Sequence, residues 1–502
     1  MNNFENSSIY NEKYRPQYHF TPEENWLNDP NGLVYYKGEY HLFYQHNPYD
    51  NIWGSMHWGH AVSRDLVHWQ HLPIALEPDE ELGMVFSGSA VVDKKDSSGF
   101  FEGDSGLVAI YTSHLETKEG PIQNQCIAYS RDEGRTWTKY EKNPVIKNIG
   151  EKDFRDPKVF WHEQQKKWIM VVACKDRVQF YDSSNLKNWN LLSEFGAGIG
   201  IHGNVWECPD LIKLPVERES DSVNTKADSA EENSADTEEK WLLSIGDTHG
   251  RSTGVITQYF IGEFDGFKFS SDYEQSFIID QGQDLYALQS WSNLPQDRKV
   301  WIGWMNNIGY MNQIPTKPWR GMMSLPRELK LIEKDGRIKL FQTPIEELKE
   351  LRENIYQQED IHLTDEMTIY TEEESYEINA LIEFKEAEAI SFVLNENGEQ
   401  QTVVGCNIKE GKIFVDRRIS GVIDFSDNFL EYKEIDWEVK DKKIEVNIFV
   451  DGSSLEVFID GGELSITDLF FPEKAQQKIR VKAINGGLKL RNFELYKIQS
   501  IW

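Results

Sequence analysis

The chain has 502 residues, 39% of them hydrophobic and 13% aromatic, which is too long for one core and too apolar for disorder, so two globular domains are expected. Its 84 acidic against 53 basic residues leave a formal charge of −31, a field that repels phosphate backbones and anionic lipid and argues against nucleic-acid or membrane partners. No run reaches transmembrane length, MNNFENSSIYNEKYRPQYHF shows no basic-then-apolar leader, and Cys126, Cys174, Cys208 and Cys406 form no CxxC; a soluble, cytoplasmic protein without a disulfide framework is expected.

Before about residue 340 a unit recurs: an Asp-Pro opening, two β-rich runs, and a closing turn followed by an aromatic. NDPNGLVYYKGEYHLFYQHNP closes on Ser63–Trp69, and SGSAVVD with GLVAIYTSHL closes on Ser130–Trp137. RDPKVFW with KKWIMVVA closes on Ser183–Trp189, and CPDLIKL with KWLLSIG closes on Gly262–Phe269. DLYALQSWS with KVWIGWMNN opens a fifth unit without such a close. Short alternating strands bounded by Gly, Asn, Asp and Pro, several to a unit, predict an all-β protein whose N-terminal part, residues 1–342, is a five-bladed β-propeller.

The acidic stretch 216–240 interrupts the fourth unit and reads as a solvated loop between two strands. PIEELKELREN, with Pro at its first turn and Leu348 and Leu351 in helical spacing, predicts a helical linker over 343–360. Strand patterns return in EINALIEF, AISFVLNE, KIFVDRR and KIEVNIFVDGSSLEVFIDG, so residues 361–502 are expected to form a C-terminal β-sandwich.

Three acids follow unit openings: Asp29 in WLNDPNG, Asp156 in FRDP and Glu207 in WECPDL. Equivalent blade positions converge at one end of a propeller channel, so these residues can meet. Grouped carboxylates suit glycoside hydrolysis, where one attacks and another protonates the leaving oxygen. Each Asp-Pro taken alone is an ordinary turn sequence.

Together the three motifs resemble the signatures of glycoside hydrolase family 32, and FYQHNP, WGSMHWGHAVSRDLVHW, FSGS and VDGSSLEVFIDGG extend the likeness over nearly the whole chain. The resemblance implies a propeller plus sandwich, and a retaining enzyme acting on terminal β-fructofuranosyl bonds. It implies Asp29 as nucleophile, Glu207 as acid/base and Asp156 as a stabiliser of the transition state. It also implies a fructose pocket in which Asn28, Gln45 and Ser87 bond hydroxyls, Trp53 and Phe86 form walls, and Arg155 makes charge-assisted bonds. Cys208, beside Glu207, reads as a small buried filler.

WMNNIGYMNQIPTKPWRGMMSLPREL looks more like levanases, exo-inulinases and yeast-type invertases than like sucrose-6-phosphate hydrolases, and places Trp304 at the sugar pocket. An exo-β-fructosidase acting on sucrose, fructo-oligosaccharides and fructans is expected, with no cofactor and no metal. The alternatives are a sucrose-6-phosphate hydrolase, a fructosyltransferase and a non-catalytic fructan-binding protein; homo-oligomerisation is left open. SRDEGRTW fits a turn known from sialidases, but the arginine cluster that a sialidase needs is missing, so the turn reads as structural. The pairs His57/His60 and His68/His71 lack a completing acid at familiar spacing and read as packing or surface residues.

Overall fold

The computed structural model describes residues 9–218, 238–248, 255–429 and 432–502. Most of the acidic stretch 216–240 lies outside the described residues; the strands Trp206–Arg218 and Glu239–Thr248 flank it.

Five antiparallel blades build the N-terminal part. Blade I comprises Asn25–Tyr36, Glu39–Asn47, His57–Ser63 and Trp69–Leu76, and blade II Met84–Asp93, Gly106–Leu115, Ile122–Ser130 and Thr138–Lys139. Blade III comprises Phe154–His162, Lys167–Cys174, Arg177–Ser183 and Asn190–Phe195, and blade IV Trp206–Arg218, Glu239–Thr248, Val255–Phe264 and Phe269–Ser271. Blade V comprises Tyr286–Ser290, Val300–Met305, Arg327–Lys334 and Arg337–Pro344. The first strand of each blade is its inner strand. The five inner strands touch in sequence, and that of blade V returns to that of blade I, which closes the ring.

The closing turns recur for one reason. Asp65 accepts the backbone N–H groups of Val67 and His68, Asn185 those of Lys187 and Asn188, and Asp265 those of Phe267 and Lys268. Asp132 does the same for Thr136, so SRDEGRTW is a blade turn. A short side-chain acceptor that mimics the next backbone carbonyl reverses the chain at these points.

The Asp-Pro pairs, read in the sequence as turns, lie within the inner strands. Register shifts fall between Leu27 and Pro30, Val85 and Gly88, Glu207 and Asp210, and Tyr286 and Gln289; that of blade III lies opposite Arg155–Lys158. Each inner strand therefore carries a β-bulge at the same level, where proline's missing N–H costs no ladder bond. Asp156, Cys208 and Ala287 adopt φ of 65°, 50° and 53° there, a left-handed conformation that non-glycine residues seldom take.

After Pro344 the expected linker helix is a single 3-10 turn, Glu346–Leu351, which buries Leu348 and Leu351. Arg352–Leu363 is already a strand, paired with Leu488–Ile498. The ladder offered by that neighbour outweighs the local helical spacing. Two six-stranded sheets then pack as a sandwich around Tyr376, Ile378, Phe392, Val457, Phe493 and their neighbours.

Buried charge joins sandwich to propeller. Arg327 of blade V donates to Glu456 at 2.5 Å and to Asp280 at 3.1 Å. His19 bridges Asp451 at 2.8 Å and Glu456 at 2.9 Å. Burial pulls the His19 imidazole down, but its bonds to Asp451 and Glu456 outweigh this and raise it to about 9. Truncating Arg327 to Ala would leave Asp280 buried without its cation and Glu456 with His19 alone, and should cost about 3–5 kcal/mol, read from the urea midpoint. The raised His19 stabilises fully below its unfolded value of about 6.5, and this contribution is lost as pH rises through about 9. Melting temperature should therefore fall between pH 7 and 10, and less steeply in His19→Gln.

Candidate functional site

The bulges turn one side chain from each inner strand toward the same mouth of the channel. Asp29 comes from blade I, Ser87 from blade II, Asp156 from blade III, Glu207 and Cys208 from blade IV, and Tyr286 from blade V. Ser87 donates its hydroxyl to Asp29 at 2.7 Å. The Cys208 thiol lies 3.6 Å from Asp29 Oδ2 and 3.5 Å from Asp156 Oδ2, and the Cys208 backbone N–H donates to the same Asp156 oxygen at 3.0 Å. Arg155 gives Nη2 and Nε to Glu207 Oε1 at 2.8 and 3.1 Å, while the Tyr286 hydroxyl donates to Oε2 at 2.8 Å. The three acids are thus gathered into one cluster, with both Glu207 oxygens already held.

Charge crowding and burial act together here. Burial pushes Asp29 above the usual carboxylate range; bonds from Ser87 and Asn28 oppose this, and the Glu207 charge adds to it. Burial also pushes Asp156 up, against the Arg155 guanidinium, and the charges of Glu207 and Asp29 carry it to about 7. Burial, then the neighbouring acids, hold the Cys208 thiol well above its ordinary value, so it serves as a neutral S–H donor.

The other residues singled out in the sequence are placed as follows. Asn28 accepts the Trp26 indole N–H at 2.7 Å, which aligns its amide with Asp29. Gln45 is buried and donates to the Val85 carbonyl, beside the blade II bulge. Trp53 is 41% exposed and meets Phe86 edge-on at 6.1 Å; Phe86 stacks on His114 at 4.2 Å. These rings stand next to Ser87, at the rim. Trp304, by contrast, is 2% exposed and packs against the fully buried Trp26 at 6.0 Å, so it presents little open face. The four histidines go to separate partners: His57 to the Ser55 carbonyl, His60 to His41, His68 to Asp65 and His71 to Tyr44.

Two functional positions were not read from the sequence. Tyr286 sits at the fifth bulge, and its signal was positional, since DLYALQS opens the fifth unit as NDP, RDP and ECP open others. Cys208, read as filler, is buried but spans two carboxylates.

The family models match this architecture. Residues 19–344 match the glycosyl hydrolases family 32 N-terminal domain, and residues 347–497 the family 32 C-terminal domain. The chain belongs to glycoside hydrolase family 32. Within the family it is 46% identical to a levanase of Bacillus subtilis (strain 168) over 99% of this chain and 72% of that protein. It is 37% identical to an extracellular exo-inulinase of Aspergillus awamori over 98% of this chain and 96% of that protein. The crystal structure of exo-inulinase from that fungus superposes with a TM-score of 0.88 at 36% identity, covering 98% of this chain and 100% of the other. A β-fructofuranosidase of Schwanniomyces occidentalis, complexed with fructosyl-erythritol, gives 0.87 at 31% identity over 99% and 100%. This glycoside hydrolase is accordingly a five-bladed propeller followed by a β-sandwich.

The cytoplasmic expectation is corrected by the same comparison. The Aspergillus relatives are named extracellular, which points to secretion. The four free, buried cysteines favour neither compartment.

A carboxyl raised in the fold costs stability wherever the unfolded chain ionises more readily: Asp156 contributes no penalty near pH 4, a penalty that grows as pH rises from there to about 7, and a constant one above. Asp156→Asn should therefore melt higher than wild type at pH 8, by the equivalent of about 2–4 kcal/mol, with the gap closing at pH 4.

Proposed function

We propose that the chain is a retaining exo-β-fructosidase that removes terminal β-D-fructofuranosyl residues from sucrose, fructo-oligosaccharides, inulin and levan. The observation carrying this reading is the carboxylate cluster at one mouth of the channel, with Asp29 held by Ser87 and Glu207 held by Arg155 and Tyr286. The levanase and exo-inulinase relatives support fructans as substrates, and the extracellular setting named for the exo-inulinases suits polymers too large to import.

In this reading Asp29 attacks the anomeric carbon of the terminal fructose as Glu207 gives its proton to the departing glycosidic oxygen. The bond to the leaving sugar breaks and a fructosyl ester on Asp29 forms. Glu207, now ionised, takes a proton from water, whose oxygen displaces Asp29 and releases fructose with retained configuration. Asp156 bonds ring hydroxyls that bind most tightly as positive charge develops. Asn28, Gln45 and Ser87 complete the polar lining, with Trp53 and Phe86 as the apolar wall. Arg155 and Tyr286 position Glu207, and Cys208 spaces Asp29 from Asp156. Residues 1–342 form the catalytic unit in this scheme, and residues 361–502 brace it.

Wild type should release fructose from sucrose, kestose, inulin and levan, with no preference for sucrose 6-phosphate. Glu207→Ala should lower kcat by about a thousandfold or more on each. No release from any unphosphorylated substrate would overturn the assignment. Tyr286→Phe should lower kcat about tenfold with KM little changed, because its contact is to Glu207 and not to sugar.

A further inference from the structure

At the opposite end of the channel from the acids lies a second cavity of about 640 Å³. The inner strands reach it with their C-terminal halves, through Val91–Asp93, Lys158–His162, Leu211–Lys213 and Ser290. A buried plug separates the two ends: the Lys158 ammonium is bonded to Asp210 at 3.0 Å and to the Ser290 carbonyl at 2.7 Å. Whatever occupies this cavity therefore does not reach the carboxylates by way of the channel.

Aromatic and aliphatic side chains share its walls, and its rim is cationic. Trp161, half-buried, meets Trp168 edge-on at 5.1 Å, and Trp241 stands nearby against Phe160 at 5.4 Å. Lys94, Lys95, Lys213 and Lys299 line the same cavity. Lys213 is paired with Glu239, but Lys94, Lys95 and Lys299 have no carboxylate within salt-bridge distance among the described residues. Of the two acids that line the cavity, Asp93 is turned to other partners, whereas Glu163 keeps two direct partners and is also within electrostatic reach of Lys95. Asp93 accepts the N–H groups of Ser97 and Ser98, and Glu163 takes the Trp161 indole and Lys166. In a chain of charge −31, a cavity that gathers Lys94, Lys95, Lys213 and Lys299 against Asp93 and Glu163 has an excess of positive charge that favours an anion.

We propose that this cavity is a second ligand site, for a small organic anion with a flat apolar body. The half-buried Trp161 takes the body, and Lys95 and Lys299 take the charge. The site lies beyond the glycosidase reading and does not depend on it.

The probe is anilinonaphthalene sulfonate, an anion of this shape, titrated into the full chain and followed by its fluorescence. Binding should saturate at one probe per chain, and the uncharged phenylnaphthylamine should bind at least about tenfold more weakly. The double variant Lys95→Glu/Lys299→Glu should weaken binding of the anion by about tenfold or more, while its melting temperature and its sucrose hydrolysis stay at wild-type values. Lys95→Gln/Lys299→Gln gives the same reading if charge reversal disturbs folding, with a smaller loss. Trp161→Ala should weaken both probes. Unsaturable binding, equal affinity for the neutral probe, displacement by fructose, or wild-type affinity in both lysine variants would each overturn the proposal.

Discussion

Between the inner strands of adjacent blades the described residues show only a short backbone bridge, Val34 with Ser292, so something else must hold those strands in register. Here polar side chains do it around the ring. Asn31 accepts from Gly88, and Ser89 donates to the Pro157 carbonyl while accepting from Val159. Lys158 pairs with Asp210, Asp210 accepts the Ser290 N–H at 2.6 Å, and Ser292 returns to the Leu33 carbonyl. These stitches lie close to the bulges in sequence, so the level at which each strand breaks is locked to that of its neighbours. A bulge shifted by one residue would turn its acid out of the mouth.

That registration lets the protein hold an electrostatically unfavourable cluster. Burial and mutual repulsion oppose ionisation of Asp29 and Asp156, and the fold bears the cost through a small set of donors: Ser87, the Cys208 N–H and S–H, Arg155 and Tyr286. Left-handed backbone at Asp156, Cys208 and Ala287 belongs to the same cost. Strain and raised acids coincide at one level of the channel because the bulges that bring the carboxyls together also bury them beside one another.

The sandwich meets this frame through ionic contacts that are fully buried. Glu456 is shared by Arg327 and His19, and Asp284 by Arg417 and Tyr310. Such groups tolerate few alternative geometries, because any other docking leaves a charge unpaired in a medium that cannot solvate it. The sandwich thereby anchors blade V, whose inner strand supplies Tyr286 and closes the ring.

Much of this was legible in the residues themselves. Alternation and repeated closing turns declared the blades, since an Asp or Asn reverses the chain by hydrogen bonds reaching two or three residues ahead. The motifs around Asp29, Asp156 and Glu207 marked the acids by their place in each unit. What sequence could not determine needed through-space partners. The helical spacing of Leu348 and Leu351 persists as one 3-10 turn, because the strand Leu488–Ile498, remote in the chain, claims Arg352 onward. Trp304, expected at the pocket, is buried against Trp26. Cys208 bridges two acids, and Tyr286 holds Glu207, only because the ring closes. Local periodicity follows from bonds a few residues long and is written in the chain. Burial, pKa and the second cavity follow from which distant strands become neighbours, and tertiary structure alone decides that.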